Sequence, residues 1–412
     1  MIKLQNEKLQ TIAAEHGLSK EEFSSQAEKI APYLEKIHAR KQGFYSIIDD
    51  QESIDKINAW ADENREKYDD CVVIGIGGSA LGTICLEKSL GHLFKSSGLH
   101  VIDNIDPILI AELEETIDYE RTLFIVVSKS GRTPEIISQY HYFKQKTDKF
   151  VFITDPKGGV LREIANNEGI TAFDIPQNVG GRFSVLTPVG LVPAALIGIN
   201  IQGLIDGAKQ VRDQFLSENF ETNLPFQLAT IQYLLEQKGK NITVMMPYSQ
   251  KLKLLADWYK QLLAESIGKA TDNKGNNVNT GITPTAALGV TDQHSQSQLY
   301  NEGPNDKLLI FIQVQNPGPE IQIPETAMGK TLTFTQLLHI EKEATENSLT
   351  QNNRPNITIE IPEVTEETLG QLFMLFEASI AFLGEFYNIN AFDQPGVELS
   401  KILTKQYVDK LP

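Results

Sequence analysis

Three stretches of the chain gather groups that handle charge and protons. The stretch VSKSGRTPE at 127–135 places Ser128, Lys129, Ser130, Arg132 and Thr133 directly behind the apolar run LFIVV. Hydroxyls and successive main-chain N–H groups in one turn make a concavity suited to an anion. Lys129 or Arg132 would supply positive charge, and Pro134 favours a helix opening just behind the loop. The pattern is not a P-loop, since G-x-x-x-x-G-K-[ST] occurs nowhere in the chain. A phosphate group is the expected ligand. The second stretch, VIGIGGSALG at 73–82, is a glycine-rich turn behind an apolar run. Ser79 offers a hydroxyl there, and the free N–H groups of a helix start attract anions. Gly75, Gly77 and Ala80 also satisfy G-x-G-x-x-A, with Asp103 ending the next run, so a dinucleotide site competes with a single-phosphate turn. The third, AESIGK at 264–269, puts Glu265 near the end of a helix, where the dipole disfavours a carboxylate. That placement suits a general base. Each stretch alone also reads as an ordinary polar loop, turn or solvated acid.

Other segments add weaker signals. DIPQNVGGRFSVLTPVG (174–190) sets Arg182 behind Gly180 and Gly181, which let the backbone approach something closely. GVTDQHSQSQLY (289–300) carries His294, and FDQPGVELSK (392–401) carries Gln394, Glu398 and Lys401 on a turn followed by a helix. No His, Cys, Asp or Glu grouping has metal-ligand spacing, and H-E-x-x-H is missing. A serine hydrolase would need a G-x-S-x-G elbow, which the chain lacks. No metal and no cofactor is expected.

These residues need rigid elements to hold them. Short branched runs at 71–77, 99–103, 121–128, 149–155 and 171–175, separated by helical or loop segments, predict strands of a parallel sheet buried on both faces. The runs at 241–248 and 307–314, with 357–362 beside them, predict a second sheet. Helices are expected at 249–269, with Ser249 as N-cap and Leu252, Leu255, Tyr259 and Leu262 or Leu263 as its apolar stripe, and at 365–387. Residues 273–284 are expected to form a polar loop. The reading is an α/β chain of two α/β/α sandwiches, 45–200 and 201–362, with helical segments at 1–44 and 363–412.

Composition narrows the partners. With 412 residues, 41% of them apolar and 22% charged, the chain has ordinary globular composition. Acids outnumber bases 54 to 37, for a net charge of −17. Nucleic acid and anionic membranes are therefore poor partners, since both need a basic surface. No run is long enough to span a bilayer, and the N-terminus shows no apolar signal region. Cys71 and Cys85 imply no disulfide framework, so a cytoplasmic setting is expected.

GGSALG, SKSGRTPE, NVGGRFSVLTPVG, AESIGK, DQHSQ and FDQPGVELSK occur in that order across nearly the whole chain. Together they resemble the glucose-6-phosphate isomerase (phosphoglucose isomerase) family in its compact bacterial form. NVGGRFSVLTPVG and FDQPGVELSK resemble its two diagnostic segments. The resemblance implies two sugar-isomerase domains of flavodoxin-like topology and reversible isomerisation of glucose 6-phosphate to fructose 6-phosphate. It further implies that Ser128, Ser130 and Thr133 hold the phosphate, with Gln394 reaching it. Gly78, Ser79 and Gly181 would line the pocket, with Lys129 and Glu135 near the sugar. Glu265 matches the proton-shuttling base and Arg182 the residue beside the enediolate oxygens. His294 and Lys401 match a ring-opening pair, His294 entering from the second subunit of a homodimer. The chain departs from the family at Arg132 and Pro134, where threonines are usual, at Ala80, and in the context of His294. Rival readings are a broader enzyme that also takes mannose 6-phosphate, a non-catalytic sugar-phosphate sensor, and a nucleotide-dependent dehydrogenase.

Overall fold

The computed structural model describes residues 1–325 and 329–411. The chain opens with a short strand, β1 (Lys3–Gln5), and then runs through helical segments that include Ile30–Ala39 and Gln51–Asn64. A first sheet follows from β2 (Asp70–Ile74), β3 (Leu99–Ile102), β4 (Thr122–Ser128), β5 (Phe150–Thr154) and β6 (Ala172–Asp174). Its strands are all parallel and lie in the order β3-β2-β4-β5-β6. The second half contributes β7 (Ile242–Pro247), a hairpin of β8 (Lys269–Thr271) and β9 (Asn277–Thr280), then β10 (Thr283–Ala286) and β11 (Lys307–Val314). A two-residue ladder of β12 (Gln322–Ile323) and β13 (Leu332–Thr333) precedes β14 (Asn356–Ile361). The second sheet runs β1-β14-β11-β7-β10, parallel except for β1. Both sheets share the doubly wound scheme in which the first strand has neighbours reached in opposite directions.

Period-two alternation explains why the strands read as continuous apolar runs. In the first sheet Cys71, Val73, Ile125 and Val127 face one core, while Val72, Ile74, Phe124 and Val126 face another. In the second, Met245, Ile310 and Ile312 face the first of these cores, while Val244, Met246 and Phe311 face a third. The inner faces of both sheets therefore share one apolar interior. Helix Glu366–Phe386 passes through it, buried from Thr368 onward, against helices Ile201–Phe215 and Leu224–Gln237. Among the described residues it is the one helix long and apolar enough to cross a membrane, and its apolar window is wholly buried in protein.

Local expectations need three corrections. The N-terminal segment is not helical throughout, because Lys3–Gln5 adds an antiparallel edge strand to β14. Three residues are too few to show alternation. The polar stretch 273–284 is not a plain loop: it holds β9 and starts β10. Ser249 makes no capping hydrogen bond, since the turn Gln250–Leu252 intervenes and the helix begins at Lys253. The expected stripe of that helix is in place, with Leu252, Leu255, Tyr259, Leu262 and Leu263 fully buried.

Candidate active site

The chain leaves β2 toward one edge of the first sheet and returns to place β4 on the other side. A crevice opens at the carboxyl ends of such a strand pair. The loop after β4 is built tightly. Gly131 takes a left-handed φ of +60°, and its N–H donates to the Ser128 carbonyl at 3.2 Å. Ser128 and Thr133 hydroxyls lie 3.1 Å apart, and the Ser130 hydroxyl accepts from the Arg132 N–H at 3.2 Å. Thr133 precedes helix Pro134–Lys144 but makes no side-chain cap bond. The first-turn N–H groups thus lack a side-chain acceptor, the condition under which a helix start takes up an anion.

The two cations of this loop differ. Lys129 donates its ammonium to the carbonyls of Gln177 and Val179 at 2.9 and 2.7 Å. Burial pulls its proton affinity down, against a smaller opposing pull from Asp155. It ties the loop to the segment leading to Arg182. The Arg132 guanidinium makes no hydrogen bond or ion pair among the described residues. It borders an open cleft of about 410 Å³ together with Ser130 and Lys157. The Asp155 carboxylate in the same cleft is engaged by the N–H groups of Lys157 and Gly158 and by the Gln177 amide. Of the two cations the sequence left open, Arg132 is the uncommitted one.

The turn after β2 meets the turn that carries Arg182. A Cβ on Gly78 would sit 2.2 Å from the Gly181 carbonyl oxygen, so the two backbones touch where any side chain would collide. Ser184 donates to the Gly181 carbonyl at 2.6 Å and steadies the contact. Gly181 and Arg182 thus pack directly on the glycine-rich turn after β2. Ser79 stays partly exposed in the same turn.

Beyond this contact lies a buried charged group. Arg182, its side chain 2% exposed, stands 3.5 Å from Glu265 Oε2. It donates through Nε to Ser266 Oγ at 2.7 Å, through Nη1 to Gln394 Oε1 at 3.1 Å, and through Nη2 to the carbonyls of Ala391 and Asp393 at 2.6 and 3.1 Å. Burial opposes its charge, while Glu265 and Asp393 favour it. Gln261, one turn before Glu265, donates to Glu265 Oε2 at 3.3 Å. Lys269 donates to the carbonyls of Glu265 and Asp393 at 2.8 and 2.7 Å. A carboxylate is thus fixed against a guanidinium while one side stays open: Glu265 keeps 27% of its side chain exposed.

Other candidates stand apart. Glu135 is half-buried in the first turn of helix Pro134–Lys144. His294 is exposed on helix Thr291–Glu302, its imidazole without a hydrogen bond among the described residues. Lys401 pairs with Glu398 at 2.7 Å on helix Glu398–Val408, whose residues are all exposed. Within one chain the structure brings neither to Glu265. The sequence reading passed over Gln261 and Ser266 as site residues and took Lys269 only as a helix end. Gln261, four before Glu265, had a signal in helical spacing; Ser266, one position on, and Lys269, beyond the helix end, had none.

Fold and site together define a class: a doubly wound α/β protein with a hydroxyl-rich loop at the carboxyl end of β4 and a carboxylate paired with a buried guanidinium. The family model described as phosphoglucose isomerase matches residues 13–412. The glucose-6-phosphate isomerase of Carboxydothermus hydrogenoformans is 45% identical over 411 residues, covering 93% of this chain and 88% of that one. The crystal structure of a hypothetical protein from Thermus thermophilus superposes with a TM-score of 0.89 at 35% identity, over 99% of this chain and 100% of that one. A glucose-6-phosphate isomerase from Chlamydia trachomatis superposes with a TM-score of 0.77 at 26% identity, over 88% and 74%. The chain belongs to the phosphoglucose isomerase family.

Proposed function

We propose that the protein interconverts glucose 6-phosphate and fructose 6-phosphate through a cis-enediolate, with the following division of work. The phosphate rests in the loop Ser128–Thr133, taking the hydroxyls of Ser128, Ser130 and Thr133 and the free N–H groups of the helix start. Arg132 supplies the positive charge, because Lys129 is held by main-chain carbonyls and acts by fixing the loop. Gly78, Ser79 and Gly181 line the wall, and Glu135 faces the sugar. Gln394 accepts from Arg182 through Oε1, which leaves Nε2 to donate toward the substrate. The phosphate does not react; its binding orients C1 and C2.

The sugar arrives as a ring, so a proton must reach the ring oxygen while another leaves the C1 hydroxyl. His294 and Lys401 carry these transfers, a histidine being suited to proton exchange near neutrality. The exposure of His294 supports its entry into the site of a second subunit in a homodimer. Glu265 then takes the proton from C2, and the electron pair forms the C1–C2 double bond. Negative charge spreads over the enediolate oxygens beside Arg182, a preorganised cation that needs no reorientation. The same carboxyl returns the proton to C1, while the C2 hydroxyl gives its proton to the C1 oxygen and the carbonyl forms at C2. No electron leaves the sugar and no group is lost, so the steps call for neither a redox cofactor nor a metal. The protein is read as cytoplasmic.

The observation that carries this reading is the Glu265–Arg182 pair, a part-exposed carboxylate held 3.5 Å from a buried guanidinium. The test is a coupled assay of fructose 6-phosphate to glucose 6-phosphate with purified protein, run beside mannose 6-phosphate. Turnover of the first pair alone is expected. Inactivity on both sugars would overturn the reading, and equal rates would overturn the narrow specificity.

A further inference from the structure

Glu265 sits in the last turn of helix Lys253–Ile267, where unsatisfied carbonyls concentrate negative potential. A base must be ionised to act, so something has to offset that field. Arg182 meets the carboxylate itself. The opposite flank of the helix end belongs to Lys269, whose side chain is 5% exposed. Its ammonium takes the carbonyl of Glu265, one of the carbonyls the helix leaves open, and the carbonyl of Asp393. The Asp393 carbonyl also accepts from Arg182, so two buried cations converge on one peptide group. That group joins Asp393 to Gln394, whose side chain also meets Arg182. Burying an ammonium is costly and needs several acceptors in good geometry. Burial and the nearby Arg182 both weaken its hold on the proton, while the Asp393 carboxylate, 3.6 Å away, and Glu265 strengthen it.

We propose that Lys269 is a positioning residue for the isomerisation, clamping the helix end that bears Glu265 to the 391–394 loop and offsetting the field of that helix end on the carboxylate. The proposal rests on Glu265 being the base. The charged groups meeting Glu265 are Arg182 from the turn after Gly180 and Lys269 from β8, and the Asp393 carboxylate of the C-terminal loop acts on both of these cations. Lys269 and Asp393 act with opposite sign, which separates electrostatics from packing.

The experiment compares pH profiles of kcat and kcat/KM for Lys269→Met, Lys269→Arg, Asp393→Asn and Glu265→Gln in the full chain. Ionisation of the substrate phosphate is common to all and cancels against wild type. For Lys269→Met, kcat is expected to fall about 100-fold through misplacement of the base. Its KM should stay within about threefold, and the acid limb of its profile should move up by roughly one pH unit. Lys269→Arg should recover most of the rate and the limb. Asp393→Asn, altering an exposed side chain, should move the acid limb the other way. The proposal fails if Lys269→Met keeps wild-type kcat, or loses rate with its acid limb unmoved. It also fails if the limb of Asp393→Asn stays put or follows that of Lys269→Met. Should Lys269→Met not fold, the direction of the Asp393→Asn shift decides. Wild-type kcat in Glu265→Gln would instead overturn the assignment of the base.

Discussion

Thr133 illustrates how single side chains here serve position before chemistry. Its hydroxyl turns toward Ser128 and leaves the helix start behind it uncapped, which keeps N–H groups open to a phosphate. Removing both hydroxyls in Ser128→Ala with Thr133→Ala is expected to raise KM for the sugar phosphate about 30-fold, at roughly 1 kcal/mol for each lost hydrogen bond. Inorganic phosphate should then inhibit less well, and an unchanged KM would show the loop to be surface only. For Arg132→Ala the expected sign is a higher KM that varies less with added salt, since an exposed cation acts through a screened field. Titrating KM from low to high ionic strength checks it. A residue far from this loop carries the clearest pH signature. Both carboxyl oxygens of Glu377 are buried without a hydrogen-bond partner among the described residues, and burial pushes its pKa well above the ordinary range. The folded chain keeps a proton that the unfolded chain releases from about pH 4 upward. Stability therefore declines with rising pH until the folded carboxyl itself ionises. Glu377→Gln removes this decline, so denaturation at pH 5 and pH 8 should show the variant gaining relative to wild type at the higher pH. An equal difference at both values would rule out a neutral buried acid.

Among elements, the contact of the turns after β2 and before Arg182 decides the site's shape. Gly78→Val would drive a branched side chain into the Gly181 carbonyl, and overpacking of this kind costs about 1–3 kcal/mol. Activity is expected to fall with Arg182 displaced, while circular dichroism stays native; full activity would show that the turns can part freely. The strands that position these turns were legible in the sequence, because runs such as LFIVV have no polar position facing solvent. The helix with Glu265 was legible from its stripe. What escaped were short or polar elements without periodic signal: Lys3–Gln5, the hairpin around Asn277–Thr280, and the 3-10 turn ahead of Lys253. In the candidate site, Glu265, Arg182 and the Ser128–Thr133 loop were singled out by residue type and setting, and their proposed roles by the resemblance. Whether Lys129 or Arg132 would be the free cation was not, because the carbonyls that engage Lys129 lie about fifty positions further along the chain.

At the scale of the molecule, the inner faces of both sheets and helix Glu366–Phe386 share one interior. The sandwiches proposed at 45–200 and 201–362 are therefore expected to melt together. Calorimetry should give one transition coincident with loss of activity, and two resolved transitions would show independent halves. The same closure reaches the start of the chain, where Lys3–Gln5 lies along β14 with Lys3 opposite Glu360 and Gln5 opposite Thr358. That strip covers hydrogen-bonding groups which would otherwise present a sticky template to other polypeptides. A preparation trimmed of Lys3–Gln5 should keep its catalytic groups yet clump on storage, the longer border of β14 recruiting neighbours where the intact molecule shows only three residues.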